Sequence, residues 1–163
     1  MKLVKETLLP EEDVELSAGL AIIQNGSILL CHPKGQKWIG TYSIPKGNVE
    51  RGESFLEAAI RETKEEIGIT IDPNDIVSKE PKFIDYKDKN GNLFKRVYYF
   101  IVKPKNKIKK EYIHPDKVEI DWAGFILKDA AKVRIFWRLM PILDHINKAQ
   151  ENNKENKKEK EEE

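Results

Sequence analysis

Three carboxylates, Glu62, Glu65 and Glu66, stand at i, i+3 and i+4 in the stretch from Glu57 to Ile67, EAAIRETKEEI. On a helix turning about 100° per residue, Glu66 lies about 40° to one side of Glu62 and Glu65 about 60° to the other, so the three share a face. Left alone they repel by about 0.2–0.5 kcal/mol per pair, and a divalent cation held among them reverses that sign. Oxygen ligands with no His or Cys beside them suit Mg²⁺ or Mn²⁺ better than zinc. Such an ion next to a phosphate chain neutralises phosphoryl oxygens and acidifies a water for in-line attack. Arg61 falls four residues from both Glu57 and Glu65. Its planar fork can bridge those two or reach back to Glu53 in the preceding loop, a positioning role in either case. The bland alternative is a solvated Glu-rich face in a chain with 35% charged residues, which is the better account of Glu65-Glu66 taken alone.

A helix has to aim these groups. Leu56, Ala59, Ile60, Thr63 and Ile67 recur at spacings of three and four and predict a core-facing stripe beside the glutamates. Ser54 with Glu57 forms a capping box and Gly68 supplies the stop. Ala58, one turn before Glu62, is expected to leave room above a bound metal. Around the helix, residues 15–31 predict a hairpin about Asn25-Gly26, and Lys82–Tyr86 with Leu93–Lys103 a second strand pair about Lys89-Asn-Gly-Asn92, its second strand buried on both faces. Pro33–Lys46 reads mostly as loop, with a short strand at Tyr42–Ile44. Residues 104–117 are basic and irregular, Val118–Phe125 predicts a strand, and helices are expected at Lys128–Val133 and Phe136–Gln150, with Pro141 in the first turn of the latter or at a kink. Strand pairs around helices fit an α/β sandwich on a mixed sheet. We expect one domain over residues 1–150. Residues 151–163 carry no apolar side chain and form a disordered tail or a solvated helical extension, with no function assigned.

The wider spacing is more specific. Gly47, Glu53, Arg61, Glu62, Glu65, Glu66, Gly68 and Ile69 fall on the box Gly, five residues, Glu, seven residues, Arg-Glu-U-x-Glu-Glu-x-Gly-U, where U is a bulky aliphatic. The chain thus resembles the Nudix hydrolase family. Chance at ordinary residue frequencies has a probability below about 10⁻⁷ per starting point. Thr63 departs from the first U position but still packs as a β-branched residue. Weaker similarity lies in Ser17-Ala-Gly-Leu20, in Trp38 with Tyr42-Ser-Ile-Pro-Lys-Gly47, and in Trp122; these look like the subgroup related to diadenosine-tetraphosphate hydrolases.

The resemblance implies an α/β/α sandwich with a loop-helix-loop box, a MutT-like hydrolase or pyrophosphatase, and cleavage of a nucleoside diphosphate linked to another group X. It implies metal ligation by Glu62, Glu65 and Glu66 with the Lys46 backbone carbonyl, and Glu66 as first choice for contact with the attacking water. An acidic residue outside the box often completes such sites; Asp116 and Glu119 are the candidates, each with an ordinary surface carboxylate as the alternative. Lys46, Lys34 and Arg51 are candidates for phosphate contacts, and Trp38, Tyr42 and Tyr86 for stacking on a base, against surface solvation or core packing for each. A dinucleoside polyphosphate is the preferred substrate. The alternatives are a MutT-like nucleoside-triphosphate pyrophosphatase, other nucleotide-linked diphosphates, a non-catalytic nucleotide-binding module, and an interaction protein working through its tail.

The rest of the composition narrows the classes. With 29 Lys+Arg against 28 Asp+Glu the net charge is +1, so the overall balance suggests neither a nucleic-acid nor a membrane partner, and polyanion binding has to come from a local site. Cys31 is the single cysteine, read as a small buried hydrophobe. His32, His114 and His145 lack metal-site spacing and are read as structural or surface residues. No stretch approaches the roughly 20 apolar residues of a membrane span or has a signal-peptide core, which places the protein in the cytoplasm. The oligomeric state is not legible.

Overall fold

The computed structural model describes residues 9–10 and 13–147. The Asn25-Gly26 turn, with φ of 51° and 74°, joins strands β1 (Glu15–Gln24) and β2 (Ser27–Pro33) as an antiparallel pair. Strands β4 (Lys82–Lys87) and β5 (Leu93–Val102) form the second predicted pair. β5 then lies parallel to β1, from Glu15↔Lys95 to Ile22↔Val102. Strand β6 (Ile120–Leu127) closes the other edge against β2, so the order is β4-β5-β1-β2-β6.

One element departs from expectation. The short strand after the hairpin is β3 (Lys46–Asn48), antiparallel to the first half of β1, while Tyr42 and Ser43 make only isolated bridges. No local propensity marks Lys-Gly-Asn as a strand; its pairing with Ser17, Ala18 and Gly19 of β1 creates it.

The period-two alternation of β1 and β5 divides the interior into two layers. Ala18, Leu20, Ile22, Phe100 and Val102 face helix α1 (Phe55–Ile67). Ala21, Ile23, Val97 and Tyr99 face helix α2 (Lys128–Arg134) and a helix at residues 140–147, through Ala131, Ile142, Leu143 and Ile146. The result is the expected α/β/α sandwich, with Cys31 buried inside it. Each fully buried Leu or Ile contributes about 1.5–3 kcal/mol over its exposed state. Pro141 lies in the first turn after the 3₁₀ turn Trp137–Leu139, where its missing N–H costs nothing. The expected tail falls outside the described residues.

Candidate metal and active site

α1 begins at Ser54, whose hydroxyl accepts the Glu57 N–H at 3.0 Å, and ends at Gly68 in the left-handed conformation (φ 76°). Ala58, Ala59, Thr63 and Ile67 are its buried residues. The Thr63 hydroxyl donates to the Ala59 carbonyl at 2.7 Å, so burial leaves it satisfied. Ala58 is fully buried in the core and is no open floor above a metal, correcting that expectation. With this face pinned to β1 and β5, Glu62 and Glu66 are directed toward β3.

Arg61 is the hub of the box. Its Nε donates to Glu53 Oε2 at 2.6 Å and its Nη2 to Glu53 Oε1 at 2.9 Å. Nη1 reaches Glu62 Oε1 at 2.9 Å and Glu65 Oε2 at 3.1 Å, and Nη2 also donates to the Asn48 carbonyl at 3.0 Å. Glu57 takes no part. Glu53 accepts the Glu50 N–H as well, at 2.8 Å. The guanidinium holds the Glu53 carboxyl below its ordinary range, and Glu53 in turn strengthens the charge on Arg61. The loop before the helix is thereby stapled to the helix.

Glu62 and Glu66 are the pair that the fold brings together. Glu62 packs on Gly47 so closely that a Cβ there would overlap its carboxyl, which is why the box opens on glycine. Burial raises the Glu62 pKa, with Arg61 opposing and the Glu65 and Glu119 charges adding. Burial pushes Glu66 up to about 8, the Glu62 charge adds to this, and the Lys46 ammonium and backbone N–H oppose it. Glu119 presses on both carboxylates. Asp116 instead caps its own turn, Oδ1 accepting the Val118 N–H at 3.1 Å, while its N–H donates to the Glu66 carbonyl at 2.7 Å. Of the two candidates outside the box, Glu119 is the one that faces the pair electrostatically.

Glu65 is turned outward, its side chain 58% exposed and tied to Arg61. Among the described residues no three His, Cys, Asp or Glu side chains converge tightly enough to hold an ion as they stand. The donor chemistry nevertheless fits a hard dication: two mutually repelling carboxylates, both with raised pKa, Glu62 only partly offset by Arg61 and Glu66 by Lys46, form a pocket of oxygen ligands.

The other candidates are dispersed. The Lys46 side chain is partly buried beside Lys95, and burial followed by the Lys95 charge lowers it to about 8. Lys34 and Arg51 are exposed, and the Lys34 N–H donates to the Glu119 carbonyl at 2.9 Å, tying that loop to β2. Trp38 is 54% exposed and stacks on His32 with ring centroids 3.7 Å apart. Tyr42 and Tyr86 are core residues in the layer away from α1, so Trp38 alone of the three aromatic candidates presents ring surface. His32 is buried, its Nδ1 2.5 Å from Asp121 Oδ1 and its Nε2 2.8 Å from the Lys37 carbonyl, a structural role as read from sequence.

Lys95 escaped the sequence reading. Its signal was present: period-two alternation puts it on the side of Val97 and Tyr99, an inward-facing cation in a buried strand.

Residues 14–143 match the model of the NUDIX domain, and the chain belongs to the Nudix hydrolase family. An RNA pyrophosphohydrolase of Nitratiruptor sp. is 35% identical over 77 residues, 42% of this chain and 48% of that protein. The chain spans less than half the length of the curated relatives it matches. Among solved structures, a C. elegans Ap4A hydrolase binary complex is 26% identical with a TM-score of 0.66, over 85% of this chain and 99% of that one. A Francisella tularensis bifunctional NMN adenylyltransferase/ADP ribose pyrophosphatase, solved with AMP and a manganese ion, shares the fold at 18% identity and a TM-score of 0.64, over 88% of this chain and 44% of that one. Among the described residues no helix is long and apolar enough to cross a membrane.

Proposed function

We propose that the chain is a divalent-metal-dependent hydrolase of a phosphoanhydride bond in a nucleoside diphosphate linked to a further group, with a dinucleoside polyphosphate as preferred substrate. The observation that carries this is the Glu62–Glu66 pair, two carboxylates charged against each other and backed by the Glu53–Arg61 staple. Glu62, Glu65, Glu66 and the Lys46 carbonyl would hold Mg²⁺ or Mn²⁺, with Glu119 as the additional carboxylate. When bound, the ion supplies charge neutralisation at the phosphate and acidifies a water. Glu66 is the first choice to contact the attacking water and accept its proton. Arg61 fixes Glu62 and Glu65 relative to the loop that carries Glu53. Lys46 offers its ammonium to the phosphates with Lys34 and Arg51 at the margin, and Trp38 offers its ring to a base.

The name carried by the curated relatives favours a second reading, in which the linked group is RNA. A panel of dinucleoside polyphosphates, nucleoside triphosphates, ADP-ribose, nucleotide sugars and 5′-triphosphorylated RNA, assayed with Mg²⁺ or Mn²⁺ and products identified by mass, separates these. Fastest turnover of a dinucleoside polyphosphate supports the first reading and of the RNA the second; no turnover of any member rejects both.

A further inference from the structure

We propose that a pocket on the α2 side of strands β2 and β6 holds a nucleobase between the Trp38 and Trp122 indoles and the attached phosphate at Arg134. This deepens the hydrolase reading and rests on it for the class of ligand, a nucleoside phosphate. The pocket has a volume of about 370 Å³, and none of the box glutamates line it. Sites for small ligands run from about 300 to 1,000 Å³.

The register fixes the face. His32 pairs with Trp122, and Ile28 and Leu30, on the same side of β2 as His32, belong to the α2-side layer. Cys31 points the other way, into the α1-side core, where the Glu66 charge reaches it. The sheet therefore stands between the pocket and the glutamates. Trp38 and Trp122 each meet the buried Tyr42 ring edge-on, with centroids 6.1 and 6.0 Å away. Among the described residues no ring contact joins the two indoles, so a gap is left between two aromatic walls that Tyr42 connects.

The Trp38 wall is held from behind. The buried His32 imidazole lies flat on the indole, its plane within 3° of it and the centroids 3.7 Å apart. His32 Nε2 donates to the Lys37 carbonyl at 2.8 Å and Nδ1 lies 2.5 Å from Asp121 Oδ1. The Thr41 hydroxyl donates to the same Lys37 carbonyl. The loop and β6 are thus tied to one ring that cannot turn without losing both bonds. His32 covers one face of the indole, so the 54% exposure of Trp38 falls on its edges and its opposite face. A stacking surface fixed in advance costs little ordering when a ligand arrives.

Arg134 supplies the charge. It lines the same pocket, and its Nη1 donates to the Ala130 carbonyl at 3.2 Å. Among the described residues no carboxylate lies within ion-pair distance of it. The remaining donors of its planar fork suit a phosphate. Two indoles alone would accept any flat or apolar group, a peptide or a second copy of the chain included. The uncompensated guanidinium beside them selects a ring that carries an anion, and a nucleotide brings both a stacking face and a charge.

The test uses the full-length protein in EDTA, with labelled AMP and adenosine as probes in equilibrium dialysis. Trp38→Ala and Trp122→Ala are each expected to raise the Kd of AMP about 5- to 150-fold, the range of one lost base stack, and Trp38→Phe to restore part of it. Arg134→Gln is expected to weaken AMP about tenfold and to leave adenosine unaltered. Tyr112→Ala, at an exposed aromatic outside the pocket, is the control and should bind AMP as the wild type does. Thermal unfolding of each variant separates lost binding from lost fold. No AMP binding by the wild type, equal affinity for AMP and adenosine, an AMP affinity that neither tryptophan substitution alters, or a dimer that Trp122→Ala dissociates each overturns the proposal. With Mg²⁺ present, a KM for diadenosine tetraphosphate raised by Trp122→Ala at unaltered kcat assigns the pocket to the second nucleoside of the substrate. An unaltered KM with AMP affinity lost assigns it to a free nucleotide. Absence of turnover across the substrate panel would count against the glutamate site and leave the dialysis result standing, so the two failures are distinguishable.

Discussion

Arg61 grips Glu53 with two edges of one guanidinium, at 2.6 and 2.9 Å, across a sequence separation of eight residues. The contact joins the loop before α1 to the helix that carries Glu62, Glu65 and Glu66, and the same guanidinium holds Glu62 and Glu65. The orientation of the acidic face therefore depends on a residue that need not touch substrate.

Arg61→Lys is expected to keep the charge and lose the fork, because an ammonium is a point donor. Losing a charged hydrogen bond at a side chain 24% exposed destabilises by about 1–2 kcal/mol, measurable by urea denaturation. Turnover should fall further than stability explains. A variant with full kcat and a lowered denaturation midpoint would reduce Arg61 to a structural strut.

Glu66→Gln is expected to leave the fold intact and not to lower thermal stability, because the core of α1 is made by Ala58, Ala59, Thr63 and Ile67. Its kcat should drop by about 10²–10⁴, the range of general acid–base assistance. Steady-state kinetics on whichever substrate the panel selects decides it, and an unaltered rate removes Glu66 from the chemistry.

How far the sequence reached is visible in these residues. Helix α1 was legible because its signals are local: the Ser54 cap, the apolar stripe and the Gly68 stop lie within 15 consecutive positions, 54 to 68. The hairpin was legible for the same reason, its turn chemistry being written in Asn25-Gly26. β3 was not, since Lys46–Asn48 becomes a strand only by pairing with β1 nearly thirty residues earlier. That Glu119 rather than Asp116 acts electrostatically on Glu62 and Glu66 was not legible either: it depends on how the 104–119 segment returns to α1. Nor was the outward turn of Glu65, which helical angles place with its neighbours and Arg61 draws aside.

Gly47→Ala probes the close approach that opens the box. The added methyl would overlap the Glu62 carboxyl, so Glu62 must move and with it the contact to Arg61. We expect activity to fall steeply while the denaturation midpoint changes little, since Gly47 is only partly buried. Wild-type turnover by the alanine variant would show that Glu62 can shift without consequence.

The metal-free protein should be least stable near pH 8, as far as Glu66 and Lys46 decide it. Glu66 is raised in the folded state from 4.5 to about 8, so its contribution is fully present below 4.5 and is lost as pH rises through about 8. Lys46 is lowered from 10.5 to about 8, so its contribution is present above 10.5 and is lost as pH falls through about 8. Thermal unfolding in EDTA across this range should trace a shallow minimum. Glu66→Gln should flatten the acidic limb and Lys46→Met the basic one. A divalent cation should fill the trough by binding the ionised carboxylates of the folded state alone. A profile without a minimum, or one that neither substitution alters, would mean that these two groups are not held against each other as the fold places them.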